Sequence, residues 1–386
     1  MSDTVSQTCS REQTGAQLVS LTESSPAQPR GASRDAPVEL MSMTFAQLES
    51  HLERVGVPVG HAKRVFRGLH RTSTPLYEIP SLGRYAKALA PYHHPPLLRV
   101  ERCVDAEDGT RKLLMRLSDG GVVESVLLPM RRERFTLCVS TQVGCAMACA
   151  FCATGTLKLT RTLTPGEIVA QVYAARDLVE RDPTEPRELT HLVFMGMGEP
   201  LHYYENTRDA VRILLDQRGA SFASSKVTVS TVGLAPAMRR FLEDFKGRVP
   251  LALSLHAGTD ETRNKIIPAS RRWSLADLKS SLLTHPLPRK RVLMLEYVVL
   301  PGVNDSDAEL DGVARFCEGL RAIVNLIPFN PFPSAPFRSP TFEEVMSVDE
   351  RLKLRGVPCS VRVTRGQERA GACGQLALRG FNEEDG

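Results

Sequence analysis

Gly144-Cys145-Ala146-Met147-Ala148-Cys149-Ala150-Phe151-Cys152-Ala153-Thr154-Gly155 is the stretch on which the reading of this chain turns. Three cysteines stand at C-x₃-C-x₂-C spacing, among small residues. Thiolates ligate iron–sulfur clusters and zinc. A structural zinc site takes four ligands, usually as two C-x₂-C pairs, and this loop offers three. Three thiolates on a four-iron cluster leave one iron with an open position, which is what chemistry needs. Two plainer readings stay open on spacing alone: a zinc site completed by Cys138, or buried cysteines with no ligand.

Around the loop, β-rich runs alternate with helical patterns. Strands are expected at 136–140, 189–195, 227–231, 249–255, 292–299 and 323–327, and helices at 165–181, 204–217, 234–245, 275–284 and 307–319. Thr164, Pro165 and Glu167 make a good helix start: an N-cap, a proline at the first helical position and an acid in the first turn. Six β–α repeats imply a parallel sheet with right-handed crossovers. They are too few for a closed eight-stranded barrel, so the expected fold class is α/β, a partial (βα)₆ barrel. Functional residues then belong at the carboxyl ends of the strands. The cysteine loop follows the first strand. Met195-Gly-Met-Gly198-Glu199-Pro200 follows the second, Ser230-Thr231-Val-Gly233 ends the third, Ser254-Leu255-His256-Ala257 the fourth and Pro328-Phe-Asn330-Pro331 the sixth. Each alone reads as a turn. Together with the cysteine loop they point to one rim, where Glu199 is placed to accept hydrogen bonds from an ammonium group.

Upstream, residues 1–42 are rich in Ser, Thr, Gln, Pro and Ala and read as a disordered tail. Residues 43–130 read as a small helical and β-hairpin domain, 131–360 as the barrel, and 361–386 as a carboxyl-terminal segment. Thr44 and Gln47 form a capping-box pattern, with Phe45, Leu48, Leu52 and Val55 at helical spacing. A second, basic helix is expected at 61–70, with Lys63, Arg64, Arg67 and Arg71 outward, and a third at 81–90. A hairpin at 112–117 and 122–128 turns at Asp119-Gly120. Glu124 stands among apolar neighbours there, either as an edge-strand surface group or as a carboxylate tuned by its surroundings.

The net charge is +5, and 15 Lys/Arg against 9 Asp/Glu fall in residues 51–135. Met130-Arg-Arg-Glu-Arg-Phe135, just before Cys138, is strongly basic. This excess points to a polyanion partner such as RNA. Nine cysteines in 386 residues are not a small secreted disulfide framework. No apolar run is long enough to span a bilayer, and the first residues carry no signal pattern, so a cytoplasmic location is expected.

Near the carboxyl end, Ala370-Gly-Ala-Cys373-Gly374-Gln375-Leu376 holds one more cysteine, read either as buried in a tight turn or as an accessible sulfur free to swing. With this segment the pattern becomes specific. The cysteine loop resembles the radical S-adenosylmethionine (SAM) superfamily. Cys138-Val-Ser-Thr-Gln-Val-Gly-Cys145, Phe194-Met-Gly-Met-Gly-Glu-Pro200, Ser254-Leu-His256, Asn325-Leu-Ile-Pro-Phe-Asn330-Pro and Ala372-Cys-Gly-Gln-Leu376 resemble the RlmN/Cfr family of radical SAM RNA methyltransferases, from about residue 43 to 376. The resemblance implies a [4Fe-4S] cluster on Cys145, Cys149 and Cys152, and a SAM site of Gly198, Glu199, Ser230, Ser254, Leu255, His256 and Asn330. It implies a two-SAM route to an adenine ring carbon. One SAM methylates Cys373, and a second, reductively cleaved at the cluster, activates that methyl group. Cys138 then releases the product by forming a disulfide, and Glu124 is the base. Implied partners are 23S ribosomal RNA, a tRNA anticodon loop for many members, and a flavodoxin- or ferredoxin-type electron donor, with the chain acting as a monomer. C2 of adenine is the favoured position; C8, or a substrate other than RNA, is the alternative.

Overall fold

The computed structural model describes residues 39–181, 187–285, 287–289, 291–362, 371–372 and 374–376. The packed chain starts at a 3₁₀ turn, Leu40–Ser42, with Leu40 fully buried, so the last residues of the expected tail belong to the core. Residues 1–38 and Cys373 lie outside the described residues. Helix α1 (Phe45–Arg54) begins as its sequence dictates: Thr44 Oγ1 accepts from the Gln47 N–H, and Gln47 Oε1 accepts from the Thr44 N–H. The basic helix is shorter than its pattern. It is helical as α2 (Ala62–Arg67) and then widens into a π turn, Gly68–Thr72. Lys63, Arg64, Arg67 and Arg71 are exposed. The third helix shrinks to α3 (Tyr85–Leu89), because Ser81 and Gly83 both take positive φ.

The hairpin has a third strand. β1 (Leu98–Asp105), β2 (Arg111–Leu117), β3 (Val122–Met130) and β4 (Arg134–Cys138) form an antiparallel run. β1 is illegible in sequence because it is a charged edge strand with a bulge between Val100 and Arg102. The division expected at residue 130 falls at the β3–β4 turn, inside one continuous sheet. β5 (Gln142–Val143) and β6 (Arg161–Thr162) pair as a separate ribbon around the cysteine loop.

From β4 onward the sheet is parallel, through β7 (Glu188–Phe194), β8 (Val227–Thr231), β9 (Leu251–Ser254), β10 (Leu293–Val299), β11 (Ala322–Pro328) and β12 (Cys359–Val361). Between successive strands run α4 (Pro165–Glu180), α5 (Tyr204–Leu215), α6 (Ala235–Phe245), α7 (Asp260–Ile266) with α8 (Leu275–Leu283), α9 (Asp307–Cys317) and α10 (Phe342–Leu354). Strand order is β1-β2-β3-β4-β7-β8-β9-β10-β11-β12. Five strands separate β3 from β11, yet both line one cavity, so the sheet curls into a partial barrel. α7 reads Asp-Glu-Thr-Arg-Asn-Lys-Ile and buries only Arg263 and Ile266, so no apolar period marks it. α10 does carry signals, a Thr341/Glu344 capping box and Val345, Val348 and Leu352 on its buried face.

Thr164 caps α4 through the Glu167 N–H at 3.2 Å, while Glu167 Oε2 accepts from the Thr164 N–H at 2.8 Å. Thr164→Ala is expected to lower unfolding stability by about 1 kcal/mol, read as a lower urea midpoint at unchanged slope.

Candidate active site

The cysteine loop is pinned by backbone hydrogen bonds from three directions. Cys145 N–H donates to Leu157 O at 3.3 Å, Ala150 N–H to Ile266 O at 2.9 Å, and Ala153 N–H to Gly374 O at 2.6 Å. Thr154 Oγ1 donates to Leu376 O at 2.5 Å. Gly374 and Leu376 therefore lie directly against the cysteine loop. The turn is too tight for a side chain at Gly155, where a Cβ would lie 2.6 Å from Cys149 O. Met147 and Cys149 pack with Ile266, Ile267, Val298, Leu300 and Phe329, which form a dry wall around the loop.

The three thiols suit a cationic cluster. Burial pushes the Cys145 thiol up to about 12, and Cys152 and Glu199 add to the rise. Burial raises Cys149 further, reinforced by Cys152 and Cys145, with only Arg263 opposing. Three sulfurs that disfavour each other's ionisation in a dry pocket need a strongly positive group before all three ionise. Among the described residues, no group of three or more His, Cys, Asp or Glu side chains stands close enough together to hold a metal ion.

Among the expected rim residues, Glu199 is held by backbone groups of two loops. Its Oε2 accepts from the Val232 N–H at 2.9 Å and its Oε1 from the Leu201 N–H at 3.0 Å. Burial raises its pKa to about 6 against these hydrogen bonds. Gly198 takes φ +100°, and a Cβ there would meet the Gln142 side chain at 2.6 Å. That close approach lets Gln142 Oε1 accept from the Glu199 N–H at 2.9 Å. Ser230 and Ser254 hydroxyls lie 3.5 Å apart on neighbouring strands. Leu255 and His256 both donate backbone N–H groups to Glu296 O. His256 Nδ1 accepts from the Val298 N–H at 2.9 Å, and burial lowers its pKa to about 3, so the ring is neutral with its proton on Nε2. Its ring stands edge-on to Phe151 at 4.6 Å, joining the fourth strand's loop to the cysteine loop. Asn330 is buried and lines the lumen cavity.

Cys138 lines that same cavity, of about 560 Å³, with Asn330, Ala372 and Gly374. The cross-strand register sets Lys112 opposite Val126 and Val126 opposite Cys138. Glu124, two residues from Val126, shares their face of the sheet. Glu124 is therefore no edge-strand surface group. β3 lies between β2 and β4, and the carboxylate is fully buried, 2.7 Å from the Lys112 ammonium. Burial lowers the Lys112 pKa, and Glu124 opposes that.

Three residues escape a hydropathy reading. Lys112 sits in a strand of ordinary basic appearance. Gln142 stands in the quoted motif with nothing to mark its role. Arg263 sits in the charged stretch of α7, yet it is 1% exposed. Its Nε donates to Leu255 O, and its second terminal nitrogen to Val232 O and Ser254 O.

The radical SAM superfamily model matches residues 139–311. A protein of Anaeromyxobacter dehalogenans (strain 2CP-C) named dual-specificity RNA methyltransferase RlmN is 43% identical over 351 residues, 90% of this chain and 93% of that one. One of the same name from Desulfotalea psychrophila is 38% identical, over 88% of this chain and 95% of its own length. The chain belongs to the RlmN family of radical SAM methyltransferases. A solved radical SAM methyltransferase from Sphaerobacter thermophilus shares the fold at a TM-score of 0.79, with 40% identity, covering 89% of this chain and all of that one. RlmN-family membership brings a [4Fe-4S] cluster and SAM as cofactors, in agreement with the three-thiol loop. No helix among the described residues is long and apolar enough to cross a membrane.

The buried pair makes a prediction independent of catalysis. Lys112→Met strands the Glu124 carboxylate and is expected to cost about 3–5 kcal/mol, most of it recovered in Lys112→Met/Glu124→Leu. Denaturant unfolding of both variants checks this; an unchanged midpoint for Lys112→Met would mean the pair is not ionic.

Proposed function

We propose that this protein methylates an adenine ring carbon of RNA, C2 in preference to C8, in 23S ribosomal RNA and in tRNA, through a methyl-cysteine at Cys373. One observation carries the reading: the residues flanking position 373 close on the cysteine loop and, with Cys138, line one cavity. A chemistry that needs two separate cysteines near a radical source calls for that arrangement. The name of the relatives, RNA methyltransferase, supports RNA as the substrate. The exposed Lys63, Arg64, Arg67 and Arg71 give the region 43–130 a face for RNA phosphates.

Cys145, Cys149 and Cys152 would hold the cluster, and the rim from Gly198 to Asn330 would hold SAM. When bound, these cofactors supply one-electron chemistry and the methyl group. The chain supplies position and dryness. Glu199 offers a buried carboxylate to the SAM ammonium, and the neutral His256 adds no competing positive charge. Phe151, Phe329 and their apolar neighbours keep water from the loop. Lys112 stands 2.7 Å from the buried Glu124, the residue proposed as the base. Cys138 offers its sulfur to the lumen. A small reducing protein of the flavodoxin or ferredoxin class would deliver electrons to the monomeric chain.

Digestion and mass analysis of adenosines from cells with and without the gene tests this. Deletion is expected to abolish 2-methyladenosine in ribosomal RNA and tRNA, with rescue by wild type and none by Cys373→Ala. An 8-methyladenosine signal would overturn the C2 assignment, and unchanged adenosines in both RNAs would overturn the whole reading.

Glu199 makes SAM binding sensitive to acid. Its carboxyl takes up a proton as pH falls through about 6, and the partner of the ammonium group is lost. SAM affinity is expected to fall about tenfold from pH 7 to pH 5, as read by calorimetry on the anaerobic holoenzyme. Equal affinity at both values would remove Glu199 from the SAM site.

A further inference from the structure

The lumen cavity has basic lining residues that the methyl-transfer chemistry does not use. Arg131, Arg134 and Arg362 line it together with Cys138, Ala372 and Gly374. Among the described residues that line it there is no Asp or Glu. The one acid of the β3–β4 turn, Glu133, is drawn aside to Arg187 at 3.7 Å. Arg134 Nε donates to the backbone Arg131 O at 3.4 Å. The turn takes left-handed backbone at two successive non-glycine residues, Arg132 at φ 63° and Glu133 at φ 53°. Asn-Gly or Gly-Gly would adopt that shape at less cost. The chain keeps long side chains where the backbone favours small ones.

We propose that Arg131 and Arg134 bind the RNA backbone phosphates next to the target nucleotide and so fix which base enters the lumen. This rests on the RNA reading above and deepens it. A cavity of about 560 Å³ falls in the size range of small-ligand pockets. Chemistry on a base requires that base out of its stack, and the strand must be held on either side while it is out. Guanidinium groups suit that task, because their planar forks match phosphate oxygens. The contacts carry no sequence information; they set register and depth.

The test uses the full-length, anaerobically reconstituted holoenzyme and a fluorescent, unmodified 23S ribosomal RNA fragment containing the target adenosine. Binding is measured between about 50 and 200 mM salt. Arg131→Gln/Arg134→Gln is expected to weaken binding about tenfold or more at the lower salt. The slope of log affinity against log salt should fall by about 1.5 to 2. Arg131→Lys/Arg134→Lys should restore most of the slope but less of the turnover, because an ammonium lacks the bidentate fork. Cluster absorbance and melting midpoint confirm that each variant is folded and loaded. Wild-type binding with an unchanged affinity and slope in the Gln variant would overturn this phosphate site and leave the RNA reading standing. Failure of the wild-type holoenzyme to bind the fragment or tRNA would overturn both.

Discussion

A single buried guanidinium ties this rim together. Arg263 reaches from α7 to the backbone carbonyls of Val232, Ser254 and Leu255, at the ends of two adjacent strands. Burial lowers its pKa to about 10, so it stays charged at neutral pH. Its charge also opposes the rise in the Cys149 thiol. The carbonyls it gathers belong to the loops that hold Glu199 and His256, because the Val232 N–H donates to Glu199 and His256 follows Leu255. A parallel sheet leaves the loops at its carboxyl edge poorly tethered. Here one cation substitutes for the missing ladder partners. Position of the cysteine loop follows, since Ile266, on the same short helix, accepts from Ala150.

The second constraint is the curl of the sheet. β3 and β11 line one cavity although five strands stand between them, which requires the sheet to curl. The curl brings the antiparallel strands, built from a segment read as a separate domain, against the barrel opening. Lys112 and Glu124 then become a buried pair rather than surface groups. An ion pair without water is a poor source of stability but a firm way to fix a carboxylate's charge and direction. Gly371, Ala372, Gly374 and Leu376 line the lumen, and Gly374 and Leu376 bond the cysteine loop.

Much of this was legible in the sequence. Parallel strands read as apolar runs, and the helices between them carry caps and periods that chemistry enforces, as at Thr164 and Glu167. The loops of Gly, Ser, Glu and Asn fall at the strand ends where the sequence pattern put them. What failed to show did so for physical reasons. β1 is a charged edge with a bulge. α7 is held by a buried arginine rather than by apolar residues, and hydropathy scores that arginine as surface. Glu124 looks alike on an edge and in a lumen, because only the pairing of β3 on both sides distinguishes the two. The role of Gln142 depends on the closeness of Gly198 across two loops, which no local pattern encodes.

The central claim is that three cysteines hold a cluster with one open position for SAM. The most direct measurement is metal and sulfide analysis of the anaerobically reconstituted chain, followed by electron paramagnetic resonance of the reduced protein with and without SAM. The account predicts about four irons and four sulfides per chain, a reduced-cluster signal that changes when SAM is added, and loss of that signal in Cys149→Ala. Stoichiometric zinc in place of iron, or a cluster signal that SAM leaves unmoved, would contradict it.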